Sequence, residues 1–314
     1  MMAWTAQDIG DLSGSLVLVT GGNSGIGLAA VRALGGHGAH VLLACRDLAK
    51  GDQAAASVRK EHPRAAVEVL RLDLADLDSV AEAAEWVGQR HSRLDVLVNN
   101  AGVMAVPYRL TLDGFELQFG TNHLGHFALT GRLLALLLAA PSARVVTVSS
   151  GAHRMGRIDF ENLDGSRGYR KWRAYSQSKL ANLLFTFELQ RRAGAAGADL
   201  AAVAAHPGYA ATNLQRRGPQ MSGSRVGERV MGLANRLFAQ SPAAGALPTL
   251  YAATAADVRG GDYVGPDGRG ELRGYPTKVG ASAAARDPVA AGRLWAVSEE
   301  LTGVRYSWSS EERA

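Results

Sequence analysis

Between residues 15 and 34 an apolar run, a glycine-rich turn and a helical pattern follow one another with no spacer. The run Ser15-Leu16-Val17-Leu18-Val19-Thr20 is short and continuous, and Gly21-Gly22 stops it. It reads as a parallel strand buried on both faces. Helix spacing follows from about Gly25 to Leu34, and the turn between them spaces its glycines G-x-x-x-G-x-G. Glycine permits positive φ and lets a phosphate approach the backbone, while a helix N-terminus offers free N–H groups and the positive end of its dipole. The turn therefore suits a dinucleotide pyrophosphate, with contacts assigned to Gly21, Asn23, Ser24, Gly25, Ile26 and Gly27. The alternative is a tight strand-to-helix turn with no ligand.

The alternation continues down the chain. Ala39–Cys45, Ala66–Leu72, Leu94–Val98, Arg144–Ser150 and Leu200–Ala205 read as further strands, with helix signals over Leu77–Gln89, Ala243–Ala256 and a long region from about Asp113 to Ala140. A last short strand is expected at Gly261–Gly265. Repeated βα units predict an α/β, doubly wound Rossmann fold whose mostly parallel sheet, of about seven strands, is flanked by helices. With 314 residues and no visible linker, residues 14–282 are expected to form a single dinucleotide-binding catalytic domain, and 283–314 a C-terminal extension.

The second strand ends about 18 residues past Gly27, where an NAD-binding fold presents an acid to the ribose hydroxyls. Here Cys45 and then Arg46 stand in that place. A neutral residue followed by a guanidinium suits a 2′-phosphate, so NADP(H) is preferred, with NAD(H) possible. Asp47 follows directly and is a candidate partner for Arg46. At the end of the third strand, Asp73-Leu74 either faces the adenine or closes a turn. The fourth strand runs into Asn99-Asn100-Ala101-Gly102, small and amide residues suited to the rim of a nucleotide crevice.

Two further features carry chemistry. Asn122 is poorly placed for a helix interior, so it either bends the helix or has a function, while His123 and His126 read as packing or surface residues. Tyr175-Ser-Gln-Ser-Lys179 sits in the first turns of a helix, where spacing of four puts phenol and ammonium on one face. A free phenol titrates near ~10, and a fixed positive charge nearby favours the phenolate. Such a pair can also be no more than a solvated contact.

In this order, from the glycine turn through Asn99-Asn100-Ala101-Gly102 and Asn122 to Ser149-Ser150 and Tyr175-x-x-x-Lys179, the parts resemble the short-chain dehydrogenase/reductase family over roughly residues 14–264. The resemblance implies that Tyr175 donates a proton to a carbonyl oxygen as hydride arrives. Lys179 would lower the phenol's pKa and hold the nicotinamide ribose, Ser150 would hydrogen-bond the carbonyl oxygen, and Asn122 would hold a water that links Lys179 to solvent. Asn100, Ala101, Gly102, Tyr175, Lys179, Pro207, Gly208 and Thr212 become cofactor contacts. Neither Tyr175 nor Lys179 is assigned to the core. Ser150 and Tyr175 lie 25 positions apart, wider than the family's common spacing, so an insertion is expected over Gly151–Arg173. Its text, Ala152-His153-Arg154 through Asp159-Phe160-Glu161-Asn162-Leu163, is similar to the retinol-dehydrogenase-like branch, as is Cys45-Arg46-Asp47.

Residues 213–240 match the family's substrate-covering segment, and Val226, Val230, Leu233 and Leu237 keep helix spacing there; a lid and an ordinary core helix remain open. The extension, with a helix signal from Asp287 to Leu301, braces either the pocket or an oligomer contact. Scattered arginines argue against nucleic acid. The single Cys45, the absence of a visible secretory signal and a longest apolar run of only Leu133–Ala140 fit a cytoplasmic protein without a metal, and membrane contact is not expected. The expected partner is a small carbonyl or alcohol, with the oligomeric state open. The reading is thus an NADP(H)-dependent oxidoreductase acting on a carbonyl or alcohol, which the likeness to retinol-type enzymes makes hydrophobic. The alternatives are an NADP(H)-binding sensor without turnover and, less favoured, a sugar-nucleotide epimerase or dehydratase.

Overall fold

The computed structural model describes residues 3–209 and 240–308. These residues build one eight-stranded sheet, from β1 (Leu16–Thr20), β2 (His40–Cys45), β3 (Ala66–Arg71), β4 (Val96–Asn99), β5 (Ala143–Val148), β6 (Leu200–Ala205), β7 (Tyr263–Pro266) and β8 (Pro276–Lys278). The order is β3-β2-β1-β4-β5-β6-β7-β8, parallel throughout except for β8, which pairs antiparallel with β7. β8 is the strand beyond the seven expected. Its three residues begin with a proline, too short a run to show any alternation.

Alternation within each strand decides which layer a side chain joins. Leu18, Leu42, Leu70, Leu97 and Val145 face α3 (Leu77–Arg90) and share a core with Val80, Ala83 and Val87. Val17, Val19, Val41, Leu43 and Val98 face the other way, onto α1 (Gly25–Gly36) and α2 (Leu48–Glu61). Each fully buried Val or Leu contributes about 1.5–3 kcal/mol, so both faces are strongly held. β1 lies between β2 and β4, where the strand order reverses. A crevice opens at such a switch point, beyond the carboxyl ends of the strands.

The region expected as one long helix is broken into pieces. The Glu116 carboxylate accepts the N–H groups of Gln118 and Phe119 at 2.9 and 2.8 Å, which fixes the start of α4 (Leu117–Phe119). Gly120–Leu124 then widens into a π turn before α5 (Gly125–Arg132) and α6 (Leu134–Ala139). Asn122 lies within the wide turn, and its amide bonds the distant backbone of Val103 in both directions: Val103 N–H donates to Oδ1 at 2.8 Å and Nδ2 donates to Val103 O at 2.9 Å. Single π turns of this kind concentrate at functional sites.

α7 (Lys171–Ala195) is buried without interruption from Tyr175 to Thr186. Tyr175 and Lys179 are 5% and 4% exposed, so both belong to the interior after all. The cause is that α7 is enclosed by the sheet, by the π turn and by α9 (Pro288–Thr302). Trp295 of α9 stacks on Phe185 at 5.9 Å and meets the edge of Phe127 at 5.1 Å, so the chain beyond residue 283 packs directly on α7. α8 (Pro242–Thr254) covers α1 on the opposite face.

Candidate active site

The crevice is framed by the glycine turn and the end of β4. A Cβ on Gly27 would lie 2.3 Å from Gly21 O and 2.6 Å from Asn100 Nδ2, so α1 can approach the turn this closely only with glycine there. Ser24 is the N-cap of α1 and makes no side-chain cap hydrogen bond, and Asn23 and Ile26 flank it half-buried beside Gly25. Asn100 Nδ2 donates to Thr20 O at 2.7 Å, which ties the two rims together. Ala101 N–H donates to Thr20 Oγ1 at 2.9 Å.

Arg46 follows β2 with a side chain 68% exposed, and its nearest acid is Asp73, whose Oδ2 lies 3.6 Å away. Asp47 does not pair with it; that carboxylate caps α2 by accepting from Lys50 N–H and pairs with the Lys50 ammonium. The Cys45 thiol is turned into the core, donating to Asp47 O at 3.3 Å, with burial pushing its pKa up to about 11. Asp73 also accepts Ala75 N–H at 3.1 Å, which closes a turn, and Leu74 is 5% exposed below it.

On the far side of the crevice Lys179 Nζ donates to Val148 O at 3.0 Å, and Ser149 Oγ donates to Lys179 O at 2.8 Å. Ser150 caps the short helical turn Gly151–Met155 by accepting Ala152 N–H at 3.2 Å, and its hydroxyl neighbours the Tyr175 phenol closely enough to act on that group's pKa. The 25-position gap does not part serine from tyrosine, because the inserted segment folds at once into the turn Gly151–Met155 and packs back on α7, where a Cβ on Gly156 would lie 2.5 Å from Ser176 O. Asn122 reaches α7 through Nδ2, which donates to Ser178 Oγ at 2.9 Å, and Ser178 Oγ donates to Tyr175 O at 2.8 Å. A Cβ on Gly102 would lie 3.0 Å from Asn122 Oδ1 and 3.6 Å from Lys179 Nζ, so a side chain there would crowd Asn122, and glycine lets the three groups come together.

The electrostatic balance differs from the sequence expectation. Burial pushes the Tyr175 pKa above its ordinary value, and the opposing influence is the neighbouring Ser150 hydroxyl rather than the lysine. Lys179 Nζ lies 5.9 Å from the phenol ring centroid, and burial brings its own pKa down to about 8. Both side chains thus sit where carrying charge is costly.

Pro207-Gly208 follows β6. Gly208 takes φ +62, and a Cβ there would lie 2.5 Å from Leu272 O, which also accepts Tyr209 N–H at 2.7 Å. Arg154 joins this turn to the serine segment, since Glu271 receives Arg154 Nη2 at 2.9 Å and lies 3.0 Å from His206 Nε2. Thr212 and all of the proposed lid except Gln240 fall outside the described residues.

Several residues that build the site were not picked out from the sequence. His153 donates from Nδ1 to Ser150 O at 2.7 Å, Ser178 bridges Asn122 to Tyr175, and Thr20 and His126 share a contact of 2.9 Å. His126 had a usable signal, since it stands four positions after Asn122 and so shares its helix face. Among the described residues no group of three or more His, Cys, Asp or Glu is arranged to hold a metal ion, and no helix is long and apolar enough to cross a membrane.

A parallel sheet with a glycine-lined crevice at its switch point, and a serine, tyrosine and lysine beside it, has the form of a nicotinamide-dependent oxidoreductase site. The short chain dehydrogenase family model matches residues 15–222, and the chain belongs to that family, in its retinol-dehydrogenase-like branch. It is 40% identical to retinol dehydrogenase 14 of Mus musculus over 309 residues, covering 95% of this chain and 88% of that protein. Identity to retinol dehydrogenase 13 of Homo sapiens is 41% over 297 residues, covering 93% and 86% respectively. A crystal structure of a protein from Mycobacterium paratuberculosis superposes with a TM-score of 0.81 at 46% identity, covering 98% of this chain and 100% of that one. Membership makes the protein a dehydrogenase/reductase acting on alcohol or carbonyl groups.

Proposed function

We propose that the protein transfers hydride between NADP(H) and an apolar aldehyde, ketone or alcohol, with Tyr175 as the proton donor in the reducing direction. The observation that carries this is the convergence of Ser150, Tyr175 and Lys179 beside the crevice rim. A phenol whose pKa is raised stays protonated at neutral pH, the state an acid needs before it can donate. Ser150 orients the carbonyl oxygen and stabilises the charge developing there. Lys179 holds the ribose and steadies the phenolate left after proton transfer, and Asn122, which meets Lys179 across Gly102, holds a water that links the lysine to solvent. When bound, the nicotinamide supplies the hydride. Its seat would be the turn Gly21–Gly27, Asn100, Ala101, Gly102 and the Pro207-Gly208 turn, with Thr212 carried over from the family.

The apolar substrate class rests on the names of the relatives, which are retinol dehydrogenases, and on exposed side chains near the site. Met155, five residues past Ser150, is 76% exposed, and Trp172, whose ring meets that of Tyr175 at 6.2 Å, is 49% exposed. Localisation in the cytoplasm stays with the sequence expectation, to be checked by cell fractionation.

NADP(H) preference rests on Arg46. Its contact with Asp73 is loose and open to solvent, so the guanidinium remains available to a 2′-phosphate, while Cys45 presents no acid to the ribose. Arg46→Ala is expected to raise the Kd for NADPH roughly 10- to 100-fold, the worth of charge-assisted hydrogen bonds, and to leave that for NADH nearly unchanged. Fluorescence titration of both cofactors measures this; equal affinities in the wild type would contradict it. A screen of NADPH oxidation over aldehydes, ketones, quinones and steroid-like carbonyls tests turnover and substrate class together.

A further inference from the structure

We propose that His126 is a positioning residue that locks the strand feeding the glycine turn to the peptide of Asn122, holding cofactor seat and catalytic helix in one register. This rests on the functional reading above. Hydrogen-bond accounting carries it. Thr20 Oγ1 accepts the N–H groups of Asn100 and Ala101, both at 2.9 Å. A hydroxyl has two acceptor positions and one donor hydrogen, so both acceptor positions are filled and only the hydrogen remains. Its candidate acceptors are His126 Nε2 at 2.9 Å and Val98 O at 3.3 Å.

The other face of the ring fixes the tautomer. His126 Nδ1 lies 3.0 Å from Asn122 O, and a carbonyl can only accept, so Nδ1 carries the proton. In the neutral ring Nε2 is then bare and takes the Thr20 hydroxyl hydrogen. A second proton on Nε2 would point at an oxygen with no lone pair left, in a site where His126 is 1% exposed. Burial agrees, bringing the pKa of His126 down to about 4, with repulsion from Lys179 adding to the effect.

The consequence is a continuous buried line between two parts that the chain alone does not join. It runs from Thr20 at the end of β1 through the His126 ring to the Asn122 peptide, then by Asn122 Nδ2 to Ser178 Oγ and on to Tyr175 O. Thr20 and His126 are 106 positions apart, and Asn122 and Ser178 are 56 apart. Thr130 braces the line from the next turn of α5, donating to His126 O at 2.7 Å and accepting Asn99 Nδ2 at 3.0 Å.

The two ring nitrogens make different bonds, and two substitutions separate them. An asparagine amide occupies the place of Nδ1 and keeps the link to Asn122; a glutamine amide reaches the place of Nε2 and keeps the link to Thr20. His126→Asn is therefore expected to weaken NADPH binding about tenfold with kcat nearly kept, and His126→Gln to lower kcat about tenfold with binding nearly kept, the worth of one buried hydrogen bond. His126→Phe, which keeps a ring and loses both links, should show both losses. The experiment is NADPH titration by fluorescence and steady-state turnover on a carbonyl from the screen, with Tm measured for each variant. Asn and Gln variants that lose affinity and kcat in parallel, or lose only Tm, overturn the proposal whether or not the Phe variant folds. A wild type that binds neither cofactor overturns the functional reading itself, whereas wild-type binding without the split removes only the role of His126.

Discussion

Tyr175→Phe is expected to lower turnover by a factor on the order of 10²–10⁴, the range for a positioned acid-base group, while NADPH affinity barely moves. That factor corresponds to about 3–5 kcal/mol of activation free energy. The substitution removes one oxygen and leaves the ring, so the edge contact with Trp172 survives and no cavity opens within α7. Ser150 keeps its bond from Ala152 N–H, so the cost to the fold is at most about 1 kcal/mol. The burial of Tyr175 makes a ring-preserving change the right one, since removing the whole side chain would leave a cavity beside Ser176 and Lys179. Stopped assays of turnover beside fluorescence titration of NADPH separate catalysis from binding.

Lys179→Met is expected to reduce both, with turnover down by on the order of 10² and the Kd for NADPH up about tenfold. Methionine has nearly the length of lysine and no donors, so the interior stays filled. Val148 O is not orphaned, because Asn182 Nδ2 still donates to it at 3.1 Å. The wild-type enzyme should also carry a pH limb that the variant lacks. Burial lowers the Lys179 pKa to about 8, so the ammonium is present below that pH and lost above it. Reduction should slow as pH rises through about 8, since the charge that steadies the new phenolate disappears. A kcat/KM profile from pH 6 to 10 that falls equally in wild type and Lys179→Met would assign the limb to another group.

What could be read from the sequence was what short-range patterns encode. Continuous apolar runs such as Leu16–Thr20 and Leu200–Ala205 mark buried parallel strands, and glycine spacing marks the turn after β1. The order of strand, turn and Tyr-Lys motif then pointed to one family. Asn122 marked a bend in the helix, but the π form of that bend was hidden because the bond that holds it lies outside it: Asn122 is bonded to Val103, nineteen positions away. Burial of Tyr175 and Lys179 was hidden for a related reason. The run Tyr175–Lys179 is polar in composition and looks solvated, whereas its polar groups are met by Val148, Asn122 and Asp159 from distant elements. The same holds for the phenol's pKa, which the spacing to Lys179 assigned to one neighbour and the structure assigns to burial and Ser150. Arg46 shows the limit from the other side, since its adjacent acid Asp47 caps α2 and the acid it meets is 27 positions on, at Asp73.

The central claim is that hydride passes from a nicotinamide to a carbonyl carbon beside Tyr175. Its most direct measurement follows the hydride itself. Wild-type enzyme is incubated with NADPH carrying deuterium at both C4 positions and an apolar aldehyde from the screen, and the alcohol product is analysed by mass spectrometry. One deuterium on the carbinol carbon, formed at a rate that Tyr175→Phe lowers by roughly 10² or more, is the predicted result. Product without the label, or labelled product formed equally fast by Tyr175→Phe, would contradict it.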